Sequence, residues 1–558
     1  MNEPASASSR PDWSAEYIEH NIPPRLPAGA ALVFRVVVRN TGKQPWRRDP
    51  ADGHFTGLAI YIGDQHQDTG RSMRHDVAPG ETTTIAVAVT APASPGRYEL
   101  RADMVTHCVT MFSDRGTPPL RLSVSVEERR RTRSEQLREI SKARHYWFFL
   151  PSGGVHLHEG RPAYPLFAES ARGCILRDVE GRQFVDYVMG WGCSLLGYDE
   201  PRIRRAVRKA SGDANMVTLA HRREIEVAEA LSAWLPGADM VLFGKNGSDV
   251  CTLAVRMARA FTNRPLVLAC GYHGWQDWYA ERLGFGRTSV PDRTSPLVLP
   301  FPYLDLPALQ ALLQAHAGAV AAVMLEPASP VEGLNGPLRD AGGEYLREVA
   351  RLTREAGALL VFDEIMSGFR YRQGSAQRAH GVTPDLTCLG KALGGGHALS
   401  AVVGRADVFR QTLHRVEYTP TYKGETGPLA AAAAALAIHR TEDVAAHVWE
   451  FGETLRRNVN ALCRQAGFPG ELIGPPFRMT LRSHEPEGER QVLLRTLIQQ
   501  ELLRRGVITF KGFMLPSRAH DDSALRRTME AFEGAVPTVA RAWREDRMVA
   551  MLEIPDQL

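Results

Sequence analysis

Cysteine is scarce in this chain of 558 residues, and no two cysteines form a closely spaced pair. An odd number of scattered cysteines argues against a disulfide framework, and without a Cys-x-x-Cys pair a zinc site is not indicated either. We therefore expect a protein of a reducing compartment, the cytoplasm, that holds no metal. The seven cysteines are Cys108, Cys174, Cys193, Cys251, Cys270, Cys388 and Cys463.

Long apolar runs and an excess of one charge sign are also missing. The N-terminus lacks the basic and apolar regions of a signal peptide, and no later stretch reaches about 18 apolar residues, so neither export nor a membrane span is predicted. Lys and Arg number 67 against 63 Asp and Glu, a net charge of +4 that is spread along the chain. A nucleic-acid partner needs clustered positive charge and is therefore not expected.

Lysine is rare among the basic residues, because only seven of the 67 are lysine. A lysine that lies in an unusual local setting is informative for that reason. The lysines are Lys43, Lys142, Lys209, Lys245, Lys391, Lys423 and Lys511.

At about 100 to 200 residues per domain, the length of the chain predicts three or four domains. The first quarter of the chain has the sequence pattern of a β protein. Short β-branched or alternating runs are separated by Gly and Pro turns, which predicts an all-β sandwich over 1–128. Its Trp46 is expected to pack in the core or at an edge rather than to form a sugar-binding platform. The mixed-charge segment that follows predicts a connecting helix or linker over 129–146. The β runs are 31–38, 58–62, 82–89, 98–104 and 120–126.

Beyond residue 145 short apolar runs alternate with amphipathic segments of helical length. This alternation predicts an α/β fold with a mixed or parallel sheet and helices on both faces. From about 431 onward helix-rich stretches flank shorter strand candidates and indicate a smaller α+β lobe. The apolar runs are 240–243, 266–269, 321–325 and 359–362.

One constellation carries chemistry. Asp363 follows directly on a buried strand, where α/β sheets place ligand-binding groups. Lys391 lies downstream in a glycine-flanked loop between apolar residues, and desolvation there favours the neutral amine that a Schiff base requires. Taken alone, each residue has a simpler explanation that would be the default: Lys391 as a surface lysine in a Gly-rich turn, and Asp363 as an aspartate that caps the next turn.

These segments, F-D-E-I-M-S-G-F-R and P-D-L-T-C-L-G-K-A-L-G-G-G, resemble the signature of class III pyridoxal-phosphate (PLP) aminotransferases, nearest to glutamate-1-semialdehyde aminomutases. The resemblance covers about 145–540 and extends to S-G-G-V, D-Y-V-M-G-W-G, N-G-S-D, G-Y-H-G and E-P. It implies the fold-type-I architecture, with a large PLP-binding domain over 215–430 and a small α+β domain from 147–214 and 431–558.

The resemblance also implies roles for single residues. Lys391 would bind the aldehyde of PLP and shuttle protons, and Asp363 would pair with the pyridine nitrogen. Phosphate would lie on Asn246, Gly247 and Ser248, which precede a helical run whose positive end favours an anion. The remaining cofactor contacts would be Tyr272 stacked on the ring, His273 in the adjoining turn, and Ile365 on the opposite face.

Two segments depart from the family pattern. After Gly-Gly-Val the aminomutases continue to an arginine that holds the substrate carboxylate, whereas here only Arg161 matches, with a shifted alignment. The threonine loop that would reach the phosphate of a neighbouring subunit carries about two extra residues, so Thr421 matches best and Thr426 is the alternative. This loop implies a homodimer, and the resemblance further implies Trp191 as a substrate contact.

We therefore expect a PLP enzyme that moves an amino group from a small-molecule amine donor, an amino acid, to a carbonyl acceptor of secondary-metabolite or polysaccharide type. An intramolecular amino shift, as in the aminomutases, stays open. A non-catalytic protein that binds through its sandwich is the opposed possibility, and intact Asp363 and Lys391 argue against it. The sandwich resembles an immunoglobulin-like module found beside bacterial surface-polysaccharide enzymes.

Overall fold

The computed structural model describes residues 12–48, 54–70, 73, 75–128, 133–144, 167–280, 297–331, 336–486 and 488–552. Arg161 and the segment 156–161 that departs from the family pattern lie outside the described residues. Within the described ranges, none of the helices is long and apolar enough to cross a membrane.

The N-terminal region consists of two β-sheets around one shared core. The first sheet holds, in spatial order, Ala15–His20, Ala31–Asn40 and Thr82–Thr90; the second holds Arg25–Pro27, Leu120–Glu127, Gly96–Thr106, Thr56–Ile62 and Gln65–Gly70, with Thr110–Met111 paired to Gly96–Thr106. Alternate residues such as Val36, Ile60, Ile85 and Leu100 are fully buried between the sheets. The expected all-β sandwich is therefore confirmed, while its immunoglobulin-like class stays a prediction.

Trp46 lies in the sandwich core, as expected, with no exposed surface. Its ring meets Phe112 edge-on, with the centroids 5.9 Å apart. A short 3-10 helix, Ser113–Arg115, lies beside it, and the helix Arg133–Arg144 follows the last strand of the sandwich. The Ser134 N–H of that helix donates to Glu180 Oε1 at 2.9 Å.

A seven-stranded sheet forms the centre of the next layer. All strands run parallel except Ser400–Gly404, which is antiparallel to both of its neighbours. The strands are near-continuous apolar runs because helices cover both faces of the sheet. In spatial order they are Met240–Gly244, Ser400–Gly404, Leu386–Leu389, Leu359–Asp363, Val320–Leu325, Leu266–Cys270 and Val298–Pro300. The helices of this region are Arg222–Trp234, Gly247–Thr262, Asp277–Ala280, Leu306–Ala315, Gly343–Glu355, Ala376–His380, Ala406–Thr412 and Thr426–Thr441, with a 3-10 helix at Lys391–Gly394 and a small hairpin of Ala328–Pro330 and Leu338–Asp340.

Residues 168–186, which follow the connecting segment, form one lobe together with the C-terminal part of the chain, from residue 444 onward. Gln183–Asp186 pairs in parallel with Val507–Ile508, so segments more than 300 residues apart form one sheet. That sheet holds Ala168–Arg172, Ile175–Asp178, Gln183–Asp186 and Val507–Ile508, and a second sheet holds Gly470–Ile473, Met479–Ser483 and Phe513–Met514. The remaining helices are Met189–Gly192, Pro201–Ser211, Val444–Ala466, Glu489–Arg504, Asp522–Arg544 and Met548–Met551. The exact domain boundaries stay predictions.

Candidate active site

The candidate site lies where several parallel strands end. Asp363 is the last residue of its strand, Lys391 comes two residues after Leu389, and the turn 271–274 follows Cys270. Asn246 comes two residues after the strand Met240–Gly244, at the start of a helix. Since the carboxyl ends of parallel strands share one edge, the topology brings these segments together.

Lys391 opens the 3-10 helix with a backbone φ of 43°. A non-glycine residue in this left-handed region costs about 1 to 3 kcal/mol, and such strain is found mostly at functional positions. Burial lowers the pKa of the Lys391 ammonium, while the charges of Asp363, Cys193 and Glu326 raise it and that of Arg370 lowers it again. The net shift is downward, toward the neutral amine that attacks a carbonyl.

Asp363 is fixed by three contacts and is only 3% exposed. Its Oδ1 accepts from the Ile365 N–H at 3.0 Å, and its Oδ2 lies 2.8 Å from His273 Nδ1 and accepts from the Cys251 thiol at 3.5 Å. The other ring nitrogen of His273, Nε2, lies 3.1 Å from the carbonyl oxygen of Cys270. Both ring nitrogens of His273 thus lie within hydrogen-bond distance of an oxygen atom, and the ring is held between the strand end at Cys270 and the Asp363 carboxylate.

Asn246, Gly247 and Ser248 form the beginning of the helix Gly247–Thr262. The Asn246 N–H donates to Asp249 Oδ2 at 2.8 Å, which fixes the start of the helix. Ser248 is 7% exposed, and its hydroxyl accepts from the Trp275 N–H at 3.3 Å. The free N–H groups of a first helical turn bind anions.

Two glycines allow the surrounding segments to meet this helix start. A Cβ on Gly247 would lie 2.7 Å from Ile365 Cδ1, and a Cβ on Gly274, whose φ is +108°, would lie 2.3 Å from Ser248 Oγ. Neither position has room for a larger residue. Ile365, 9% exposed, therefore lies against Gly247.

Tyr272 is partly buried beside the same turn, and burial raises its pKa. Its backbone N–H donates to Glu326 Oε2 at 2.9 Å. Glu326 also accepts from the Ser329 hydroxyl at 3.0 Å, and burial raises its pKa. Sequence reasoning assigns no role to Glu326, although a buried carboxylate after a strand is itself a signal.

The two candidate threonines differ in their surroundings. Thr426 has no exposed surface, and its hydroxyl donates to the carbonyl of Ala214 within the same chain. Thr421 lies in the preceding turn with an exposed side chain. The Thr421 side chain is therefore open to solvent, whereas the Thr426 hydroxyl is already bonded within the chain.

Trp191 belongs to an aromatic group rather than to the turn around Asp363. Its φ is 61°, and its ring meets Phe510 edge-on with the centroids 4.5 Å apart. Met366, the residue after Ile365, packs against the same apolar cluster. Met366 thus connects the apolar cluster around Trp191 with Ile365, one of the residues expected to contact the cofactor.

Arg370 ends the F-D-E-I-M-S-G-F-R segment, and sequence reasoning assigns it no function. It is 1% exposed, its Nη1 donates to the carbonyl of Met366 at 2.9 Å, and its Nη2 donates to that of Gly192. Burial lowers the pKa of its guanidinium to about 10. The side chain fixes the Gly192 turn next to Trp191.

Comparison with known proteins shows that residues 157–475 match the class III aminotransferase family. A glutamate-1-semialdehyde 2,1-aminomutase of Thermomicrobium roseum is 32% identical over 399 residues, 68% of this chain and 92% of the relative. A 3-aminobutyryl-CoA aminotransferase of Cloacimonas acidaminovorans is 29% identical over 385 residues, 68% of this chain and 90% of the relative.

Solved structures show the same relationship. The FumI protein of Sphingopyxis sp. MTA144, solved with PLP, has a TM-score of 0.69 at 25% identity and covers 76% of this chain and 99% of its own. A β-phenylalanine aminotransferase of Variovorax paradoxus has a TM-score of 0.61 at 27% identity and covers 72% of this chain and 93% of its own. The sandwich strands lie outside the residues that match the family.

Proposed function

Because this chain belongs to the class III aminotransferase family, whose members are PLP-dependent enzymes, we propose that Lys391 and Asp363 carry an amino transfer in it. The amino group would pass from an amino-acid donor to a carbonyl acceptor. The observation that carries the proposal is a lysine of lowered pKa whose charge environment includes Asp363, at the edge where the strands end.

The residues fit the cofactor. The helix start at Asn246, Gly247 and Ser248 would take the phosphate. Asp363 already accepts three hydrogen bonds, and a carboxylate with about four lone-pair sites can accept one more, from the pyridine N–H. PLP, when bound, supplies an aldehyde for the donor amine and a ring that accepts electrons.

Each residue would then have one task. Lys391 Nζ would bond the cofactor in the resting enzyme and, once released, hold and move the proton at the substrate carbon. Tyr272 and Ile365 would cover the two faces of the ring. His273 would hold the Asp363 carboxylate in place.

The aminomutase reaction is the second candidate, and the 32% identity to an aminomutase favours it. The 3-aminobutyryl-CoA aminotransferase favours transfer to a separate, larger acceptor. An appended sandwich also suits a large or tethered acceptor of polysaccharide or secondary-metabolite type. We propose transfer as the reaction, in a cytoplasmic homodimer whose Thr421 reaches the neighbouring phosphate.

The experiment is the replacement Lys391→Ala with Lys423→Ala as its control. The control side chain is partly exposed and no role is assigned to it. Borohydride reduction of the wild type should fix the cofactor on the peptide that contains Lys391, and Lys391→Ala should lose both the fixation and turnover. Fixation on Lys245 or Lys423 would overturn the assignment.

A nitrogen label distinguishes amino transfer between two molecules from the intramolecular mutase reaction. With a ¹⁵N-labelled amino-acid donor, transfer should place the label in the product and release the oxo acid. Efficient isomerisation of glutamate-1-semialdehyde without incorporation of the label would replace transfer by the mutase reaction.

A further inference from the structure

Lys511 and Arg495 are two partly buried cations that lie within range of each other's charge. Lys511 belongs to the turn before the strand Phe513–Met514, and Arg495 belongs to the helix Glu489–Arg504. Burial and the charge of Arg495 lower the pKa of Lys511, and burial lowers that of Arg495. Among the described residues neither side chain has an ion-pair or hydrogen-bond partner. Two like charges in a partly buried place repel each other, and an anion between them removes that cost.

The backbone at Lys511 is strained as well. Lys511 and Gly512 have φ values of 48° and 82°, and Phe510 and Phe513 on either side exchange backbone hydrogen bonds of 3.4 and 2.9 Å. This is the geometry of a type I′ turn, whose first position favours asparagine, aspartate or glycine. A lysine at this position opposes the local preference. A residue that breaks a local rule without compensation inside the fold is typical of a functional site.

The turn holds Lys511 beside the aromatic group of the candidate active site. Lys511 Nζ lies 5.8 Å from the centre of the Phe510 ring, and the centres of the Phe510 and Trp191 rings are 4.5 Å apart. Cys193, two residues after Trp191, and Lys391 act on each other's pKa through their charges. A substrate that extends from Lys391 along the Trp191 and Phe510 rings would therefore bring its other end to the two cations.

A phosphate group matches this pair of cations best. A phosphate monoester carries a charge of about −1.5 to −2 at neutral pH and has three acceptor oxygens. Arginine forms two parallel hydrogen bonds with phosphate, and lysine binds it as a point charge. A carboxylate has a single charge and would leave one of the two cations uncompensated.

We propose that Lys511 and Arg495 bind a phosphate group of the amino acceptor, and that the acceptor is therefore a phosphorylated carbonyl compound. The inference rests on the proposed amino transfer and assigns its acceptor class. The carbonyl would meet the cofactor near Lys391, and the rings of Trp191 and Phe510 would contact the part of the molecule between the carbonyl and the phosphate. A free sugar phosphate and an acyl group on a phosphate-bearing carrier share this chemistry.

The first test compares acceptors that share a carbonyl and differ in the phosphate-bearing part. D-Glyceraldehyde 3-phosphate is matched with D-glyceraldehyde and D-erythrose 4-phosphate with D-erythrose, as free sugars. For the carrier, 3-oxohexanoyl coenzyme A is matched with its N-acetylcysteamine thioester. Each acceptor is added to enzyme loaded with pyridoxamine phosphate, and the conversion is followed by absorbance. The set in which phosphate accelerates the conversion identifies the source of the phosphate.

The second test measures binding without turnover. Inorganic pyrophosphate is titrated calorimetrically into the holoenzyme, whose own phosphate site is then filled by PLP. The variants are Lys511→Asn, which removes the charge and suits the positive φ, Lys511→Arg, which keeps the charge, and Arg495→Gln. Arg490→Gln is the control, because Arg490 lies on the same helix as Arg495 and already pairs with Asp546 at 2.7 Å.

We expect the phosphorylated member of at least one pair to react at least about tenfold faster in the wild type, the usual effect of one charge-assisted hydrogen bond. Lys511→Asn and Arg495→Gln should each lower the affinity for pyrophosphate at least about tenfold and reduce the acceptor preference by the same factor. Lys511→Arg and Arg490→Gln should stay within about threefold of the wild type. The thermal midpoint of Lys511→Asn should equal or exceed that of the wild type, because both the repulsion and the strain are relieved.

Equal rates with both members of every pair, or no reaction of any phosphorylated acceptor, would overturn the proposal. So would pyrophosphate binding that is unchanged in Lys511→Asn and Arg495→Gln. A lowered thermal midpoint of Lys511→Asn together with equal losses for both members of a pair would show an internal structural role and overturn it too. A wild type whose cofactor is converted by no amino-acid donor would instead refute the proposed amino transfer, and the pyrophosphate titration would still decide whether the two cations bind phosphate.

Discussion

The sharpest test of the phosphate site is the replacement of one glycine. In Gly274→Ala the new Cβ would lie 2.3 Å from Ser248 Oγ, 2.8 Å from Ser248 Cβ and 3.0 Å from Ser248 Cα. Rotation of the serine side chain relieves the first contact but leaves the contact with the backbone. The start of the helix must therefore move, and with it the N–H groups that we assign to phosphate.

Two terms add up in this variant. Alanine at a φ of +108° is strained, which costs about 1 to 3 kcal/mol of folding stability. The displaced helix start weakens at least one hydrogen bond to a charged group, worth about 1.5 to 3 kcal/mol, or roughly tenfold to a hundredfold in PLP affinity. Only the second term concerns the cofactor.

Gly318→Ala separates the two terms, since its φ is +77° and nothing lies within 4 Å of the added Cβ. Urea unfolding of the cofactor-free proteins should show a loss of stability in both variants. Equilibrium titration with PLP should show the weaker binding in Gly274→Ala only, with Gly318→Ala within about twofold of the wild type. If Gly274→Ala binds PLP as the wild type does, Ser248 does not belong to the phosphate site.

Two further predictions concern the second subunit and the sandwich. Thr421→Ala should weaken PLP retention in dialysis, and mixed dimers of this variant with Lys391→Ala should restore one complete site. Thr426→Ala should instead lower folding stability in thermal unfolding by about 1 to 3 kcal/mol through its lost buried hydrogen bond, and leave PLP retention nearly unchanged. The reverse pattern would make Thr426 the phosphate contact. Deletion of 1–128 should leave a folded protein that binds PLP, because the sandwich has its own core. The exposed ion pair of Glu19 with Arg547 contributes little to the free energy of unfolding. An insoluble or cofactor-free product in size-exclusion chromatography would show that the sandwich is integral to the enzyme.

The sequence predicted the parts of the site that depend on local signals. The apolar runs 240–243 and 359–362 are strands of the large sheet, and Asp363 ends the second of them. The motif around Lys391 could be read because lysine is rare and glycines flank it. Such features are visible within a few residues of chain.

Contacts between distant segments could not be predicted in the same way. Arg478 and Phe513 are 35 positions apart, and the sequence around each residue does not indicate that the Arg478 guanidinium lies over the Phe513 ring. Lys511 and Gly512 form a tight turn of type I′ geometry, with φ values of 48° and 82°. The sequence did not indicate this turn, because a lysine seldom adopts a positive φ and the usual Asn-Gly signal is absent. His273 was predicted as a cofactor contact in the turn after Gly271, and nothing in the sequence indicated that its ring contacts Asp363, 90 residues away.

The surroundings of Lys391 bear on how the lysine stays reactive. The nearby Asp363 carboxylate stabilises the Lys391 ammonium and raises its pKa, which opposes nucleophilic attack. Burial disfavours the charged form and is the larger effect, so the pKa of Lys391 shifts downward. The contact of His273 Nδ1 with Asp363 Oδ2 at 2.8 Å meanwhile keeps the carboxylate in position. Burial of the lysine thus reconciles two requirements that conflict at short range, an acidic partner for the ring and a neutral amine for the aldehyde.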